Sequence, residues 1–386
     1  MPDKQPDDLL TAIKNVINSE GPITFARYME LALYHPRWGY YTSGAGQIGP
    51  GGDFYTSPDV HPLFGQLLSR QFVQMWELLG RPNPFYLVEW GPGKGLLARD
   101  VLTRLKEEEP ECFASLNFRA VEIGEPLARR QQKLLMPLAK YNSQFQWLKP
   151  RELLKSPGDL TGCVYSNELV DAFPVHLVCA ASEGLREIYV GLEEGELVEI
   201  MLPPSSQEII NYFSEAGVNL EAGRRAEVNL QSRIWLKQIA ASLKRGFLLT
   251  IDYGHETREL FSPHRFNGTL RCFSRHQMVD NPYQTPGKMD ITASVDFSAL
   301  IRWGDEFGLQ TAGLTSQSDF LLNLGILDTL RAYDNFKFSQ EGMRTTSAVK
   351  NLIMPEGMGR AFKVLIQYKG LEEKPQLKGL GKNWRL

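Results

Sequence analysis

The sequence predicts an α/β fold: a mostly parallel, seven-stranded sheet flanked by helices, with an N-terminal helical region and inserted hairpin and irregular segments. Three observations predict it. From Phe85 onward, strand-like apolar runs alternate with helical spacing, the signal of a parallel sheet. Tyr86–Gly95 reads Y-L-V-E-W-G-P-G-K-G ahead of the helical pattern Leu96–Lys106, so an acid-tipped strand, a glycine turn and a helix follow one another. The length of 386 residues, 42% apolar, suits two modest domains or one α/β domain with large insertions.

Residues 7–80 read as mainly helical. Apolar spacing predicts helices over Asp8–Asn18 and Phe25–Leu33, then the aromatic run Tyr34–Tyr41 and a glycine-rich loop at Thr42–Pro58. A long amphipathic helix is expected over Val60–Leu79, stopped by Gly80 and Pro82. The first strand is Phe85–Trp90. The second is Phe118–Ile123, with a helix over Pro126–Leu138, and the third and fourth are Phe145–Leu148 and Gly162–Ser166. Leu185–Leu202 alternates around Glu-Glu-Gly-Glu and reads as an inserted antiparallel hairpin. A helix at Ile234–Lys244 leads to a fifth strand, Phe247–Tyr253. Glu256–Thr292 is irregular, Asp296–Phe307 helical, and Gln310–Gly313 and Ala361–Tyr368 supply two closing strands. Five parallel strands with two closing ones match the Rossmann-like sheet of class I methyltransferases. The expected organisation is a helical and lid region (1–80), a core (81–179 and 231–254), an inserted segment (180–230), a substrate-side insertion (255–300) and a C-terminal part completing the sheet (301–386).

A net charge of −3 leaves no basic footprint for nucleic acid and argues against anionic membranes. No apolar run reaches the roughly 18 residues of a membrane span. The start M-P-D-K-Q-P-D-D resembles neither a signal nor a transit peptide. Cys112, Cys163, Cys179 and Cys272 are scattered, so no metal site and a reducing, cytoplasmic setting are expected. Oligomeric state is not readable.

The glycine loop narrows the ligand. Glycines let a ligand approach backbone that a Cβ would block, and the helix start beyond presents free N–H groups. A dinucleotide fingerprint is G-x-G-x-x-G, whereas Gly91, Gly93 and Gly95 fall at every second position, around Pro92. Glu89, two residues ahead, would repel a pyrophosphate but suits a ligand carrying an ammonium group, such as S-adenosylmethionine (SAM). Glu122, at the end of the second strand, could accept both ribose hydroxyls of an adenosine, or be an ordinary strand-end charge. Glu125 is read as a cap of the next helix.

Several ordered motifs resemble the MidA family, whose mitochondrial members are complex I assembly-factor arginine methyltransferases. They are Gly52–Gly65 (G-D-F-Y-T-S-P-D-V-H-P-L-F-G), Val88–Gly95, Ser166–His176 (S-N-E-L-V-D-A-F-P-V-H), Ile251–Gly254 (I-D-Y-G), Gly268–His276 and Asp290–Phe297. The resemblance spans about residues 20 to 370 and implies a SAM-dependent enzyme methylating an arginine of a protein substrate. Trp90 departs from the aliphatic residue expected before the first glycine, which affects pocket shape rather than the loop.

By position and resemblance, Asn167, Glu168 and Asp171 follow the fourth strand at the carboxyl edge of the sheet, where open α/β folds hold substrates. An arginine stays protonated, so carboxylates are needed to orient it and receive its proton. Glu168 and Asp171, three apart, could face one pocket from a helical turn; the alternative is a helix-capping box. His176 could relay a proton or be structural. Gly52–Gly65 lacks the G-K-[ST] of a phosphate loop. The resemblance implies that Asp53, Thr56, Ser57 and Pro58 cover the cofactor, with Asp53 also on the substrate side. Arg271, Arg275 and His276 form a basic cluster that could meet a protein substrate or pair with local acids. Asp290 and Asp296 could hold the insertion or bind a cationic substrate. Phe64, Leu67, Leu68 and Phe72 read as core, and Glu107–Glu109 as a solvated helix end. The rivals are a nicotinamide-dependent oxidoreductase, a non-catalytic assembly scaffold that keeps the fold, and a small-molecule methyltransferase.

Overall fold

The computed structural model describes residues 7–43, 57–142, 144–153, 155, 158–274, 277–332, 339–354 and 357–381. The chain divides into two compact units, one formed by Tyr55–Leu169, Leu236–Gly254 and Leu300–Leu386, the other by Met1–Phe54, Val170–Trp235 and His255–Ala299.

The first of these carries the main sheet, whose strands are β1 (Phe85–Trp90), β2 (Leu116–Val121), β3 (Phe145–Leu148), β4 (Leu160–Asn167), β5 (Leu243–His255), β6 (Gln310–Ser316) and β7 (Phe362–Lys369). Their spatial order is β6-β7-β5-β4-β1-β2-β3. β5, β4, β1, β2 and β3 run parallel, and β7 and β6 close the edge antiparallel. The sheet is thus mixed, and among the described residues it counts eight strands rather than the seven expected, the eighth, Val295–Asp296, lying off this path. Near-continuous apolar runs in β1, β4 and β5 follow from burial on both faces, as parallel strands covered by helices require. Phe64, Leu67, Leu68 and Phe72 lie in this unit's core with Leu87, Phe118 and Phe247.

Helix Leu96–Glu108 opens directly after the glycine turn, and Glu125–Ala139 follows β2. The long helix expected over Val60–Leu79 is instead a turn, Ser57–Val60, and a separate helix, Leu63–Leu78. Pro62 disfavours helical backbone at the residue before it, so the run restarts after the proline. Ser57 and Pro58 therefore stand on a helical turn, not in a loop. Glu125 does not cap its helix: Gly124 holds the cap position, and Glu125 pairs with exposed Arg129 one turn on at 3.1 Å.

In the other unit, an antiparallel sheet runs in the order Ile23–Thr24, Gly184–Glu193, His176–Ala181, Arg225–Val228, and Glu196–Leu202 pairs with Gly184–Glu193. The hairpin read at Leu185–Leu202 is this last pair. Glu194 and Gly195 turn it with φ of 49° and 83°, the double left-handed geometry of tight hairpins. The stretch 256–292 is less irregular than expected, since Arg271–Ser274 pairs with both Gln277–Val279 and Asp290–Thr292. A separate core of Ile13, Phe25, Tyr28, Leu177, Val190 and Ile291 supports this unit.

Candidate functional site

β1 carries Glu89 as its penultimate residue, and the turn follows. Gly91, Gly93 and Gly95 have φ of 69°, 54° and 78°, backbone that side chains with a Cβ rarely adopt, which is why three glycines are spent here. The Gly91 amide donates to the Val121 carbonyl at 2.9 Å and Gly95 donates to the Pro92 carbonyl at 2.8 Å, so the turn is tied to the end of β2 and to itself. Lys94, inside the turn, forms a buried ion pair with Asp59 at 2.5 Å.

Glu89 is 2% exposed and its register partner on β4 is Tyr165, whose hydroxyl donates to it at 2.9 Å. Burial pushes its carboxyl up to about 8, against the Tyr165 hydrogen bond and with a further push from Glu122. Glu122 lies one residue beyond β2. One oxygen accepts the Gly124 amide at 2.8 Å and the other the Gln131 side-chain amide at 2.9 Å. Burial also raises this carboxyl, with those hydrogen bonds opposing. Two buried carboxylates thus stand at the carboxyl ends of adjacent parallel strands, on either side of the glycine turn. Residues of this kind fit SAM: one acid for its ammonium group, one for its ribose hydroxyls, and glycine backbone between that a ligand can approach.

Glu168 follows β4 with φ of 53°, a strained value for a residue with a side chain. It is therefore not on the helical turn expected to carry both Glu168 and Asp171; the short 3-10 turn begins only at Val170. One Glu168 carboxylate oxygen accepts the Ser57 amide and the Asn167 side-chain amide, both at 3.0 Å. Burial pushes this carboxyl to about 8, the Ser57 hydrogen bond lowers it, and the Asp252 carboxylate adds to the rise. The Asn167 carbonyl oxygen is buried with no hydrogen-bond partner among the described residues. Asp252, from the I-D-Y-G motif, is fully buried and accepts the Leu169 amide at 3.1 Å.

Asp171 is buried in the other unit, where its carbonyl accepts the Ala293 amide at 2.9 Å. His176 there faces the buried Glu187 carboxylate at 2.7 Å. Asp290 accepts the Tyr41 hydroxyl at 2.7 Å, and Asp296 accepts Tyr212, Thr257 and the Ala299 amide, capping the helix Phe297–Glu306. Both acids thus bond to groups elsewhere in their unit. Arg271 is an exposed strand residue. Asp53, Thr56, Arg275 and His276 lie outside the described residues. Tyr165, Gln131, Lys94 and Asp252 escaped the sequence reading. Only Lys94 and Asp252 carried a signal, as charged residues inside quoted motifs. No group of three or more His, Cys, Asp or Glu able to hold a metal, and no helix long and apolar enough to cross a membrane, occurs among the described residues.

With this fold, residues 67–315 match the model of a family of SAM-dependent methyltransferases, and the chain is one of that class. A crystal structure of a Burkholderia thailandensis protein bound to S-adenosyl-homocysteine superposes with a TM-score of 0.87 at 32% identity, covering 99% of this chain and 98% of that one. A native crystal structure from the same organism gives 0.85 at 31%, with the same coverage. Rattus norvegicus protein arginine methyltransferase NDUFAF7, mitochondrial, is 32% identical over 80% of this chain and 72% of its own. The Homo sapiens protein of that name is 29% identical over 90% and 80%. The chain belongs to the MidA-like family of SAM-dependent methyltransferases, and SAM is its cofactor.

Proposed function

We propose that this protein transfers methyl groups from SAM to an arginine side chain of a protein substrate. The observation that carries this reading is Glu168: a half-buried carboxylate in strained backbone, beside the unpartnered Asn167 carbonyl, at the carboxyl edge of the sheet. The names of relatives at about 30% identity support the same acceptor.

In this reading Glu89, the Gly91–Gly95 turn and Glu122 hold the cofactor, and Ser57 and Pro58 border it. SAM supplies a methyl group on a sulfonium, which departs as a neutral thioether. The protein therefore needs mainly to align the acceptor and exclude water. Glu168 and the Asn167 carbonyl accept N–H bonds from the guanidinium and orient one nitrogen. A carboxylate whose proton affinity is raised to about 8 is suited to take the proton that nitrogen sheds. Asp171 joins them on grounds of sequence position alone. His176, held by Glu187, is given no step.

The test is transfer of labelled methyl from SAM to proteins of a cell extract, with methylated amino acids identified after hydrolysis. Wild type should label a protein band as methylarginine, and Gly93→Val should label none. Equal labelling by both proteins, or label found only on other residues or small molecules, would overturn the proposal.

A further inference from the structure

We propose that Gln131 is a positioning residue for the cofactor, clamping the glycine turn to the Glu122 carboxylate; the inference rests on the SAM site read above. Gln131 is wholly buried on the helix Glu125–Ala139, one of only three buried residues there. Its side-chain amide nitrogen donates to the Gly93 carbonyl at 2.8 Å and to Glu122 at 2.9 Å. Both partners are acceptors only, so the chemistry settles which end of the amide faces them. One NH2 group thus spends both protons on joining the turn to the acid.

Two further facts fit a clamp rather than filler. A Cβ at Gly95 would stand 3.2 Å from the Gln131 Cγ, so the side chain packs directly on the turn it bonds. Its carbonyl oxygen is buried with no hydrogen-bond partner among the described residues. An orphaned buried acceptor costs about 1–3 kcal/mol, which an apolar residue of the same shape would avoid. A glutamine kept there at that cost is explained by what its nitrogen does. With Gly124 holding one Glu122 oxygen and Gln131 the other, the carboxylate cannot swing. Each oxygen keeps a lone pair for a ribose hydroxyl, at a set distance from the turn.

The test uses the full chain, with S-adenosyl-homocysteine as probe. Wild type must first bind it; if it does not, the cofactor reading itself fails, which is a separate outcome. Gln131→Met keeps the packing and removes both hydrogen bonds. It should weaken binding at least tenfold and raise KM for SAM by a similar factor, with kcat within about threefold of wild type. In a Glu122→Gln background the same change should cost under threefold, because the clamp has lost its carboxylate. Gln131→Glu is the second variant. Its new carboxyl regains a donor on protonation, so its binding defect relative to wild type should shrink as pH falls from 8 to 6. Affinity within twofold of wild type in Gln131→Met overturns the clamp. So does an undiminished loss in the Glu122→Gln background. If Gln131→Met does not fold, a pH-independent ratio for Gln131→Glu overturns it equally.

Discussion

In the proposed reading Glu89 meets the ammonium group of the cofactor, for which it must be ionised, and its buried carboxyl is not ionised by default. Burial raises it from 4.5 to about 8. The folded protein therefore keeps a proton that the unfolded chain loses above about 4.5. Glu89's contribution to stability accordingly falls as pH climbs from about 4.5 to about 8, then levels. Binding an ammonium group runs the other way, since it favours the charged acid and expels the proton. Affinity for S-adenosyl-homocysteine should rise by up to about tenfold per pH unit between 6 and 8 and flatten above. Titration calorimetry in buffers of different ionisation enthalpy should count about one proton released near pH 7, and none in Glu89→Gln. Constant wild-type affinity across that range would refute the assignment. Glu89 and its glycines were legible in the sequence because strand, acid and turn are contiguous, and positive φ selects glycine directly. Tyr165 was not, since it meets Glu89 only through strand register, and Gln131 was not, since 38 residues separate it from Gly93. Glu168 was legible by position but not by conformation: nothing in S-N-E-L-V-D distinguishes a left-handed glutamate from a helix start.

Among elements, the parallel strands and their helices were legible wherever apolar period and turn residues agreed, which holds from β1 to β5. Errors gathered where a proline interrupts helical spacing, as at Pro62, and where short strands depend on distant partners, as in the Arg271–Thr292 sheet. A structural glycine of the sheet went unremarked for the same reason. Gly162 on β4 lies opposite Tyr86 on β1 and Gly246 on β5, and a Cβ there would stand 1.9 Å from the Tyr86 carbonyl oxygen. Backbone cannot yield as a flexible side chain can, so the pairing of β1 with β4 would have to open. Gly162→Ala should cost at least about 3 kcal/mol in urea unfolding. Gly21, with φ of 82° and ψ of −169° but open space around it, is the contrast: Gly21→Ala pays only for a backbone region that residues with a Cβ rarely adopt, about 1–3 kcal/mol. Equal costs at the two positions would show that the sheet absorbs the methyl group.

At the scale of the whole chain, each unit has its own core, and every described residue assigned to the cofactor lies in the unit of the parallel sheet. Ligand energy should therefore register unevenly. A ligand at about 100 times its Kd adds about 2.7 kcal/mol against any opening that expels it, which slows amide exchange through such openings by up to about 100-fold. With S-adenosyl-homocysteine at that excess, the amides of Gly91, Gly95 and Gly124 should gain protection by at least tenfold. Those of the hairpin Gly184–Leu202 should change by less than twofold, because strand pairing with Ile23–Thr24 and His176–Ala181 sustains them without the ligand. Protection of the hairpin equal to that of the turn would mean that the cofactor draws on both units, and the assignment of its site to one of them would fall.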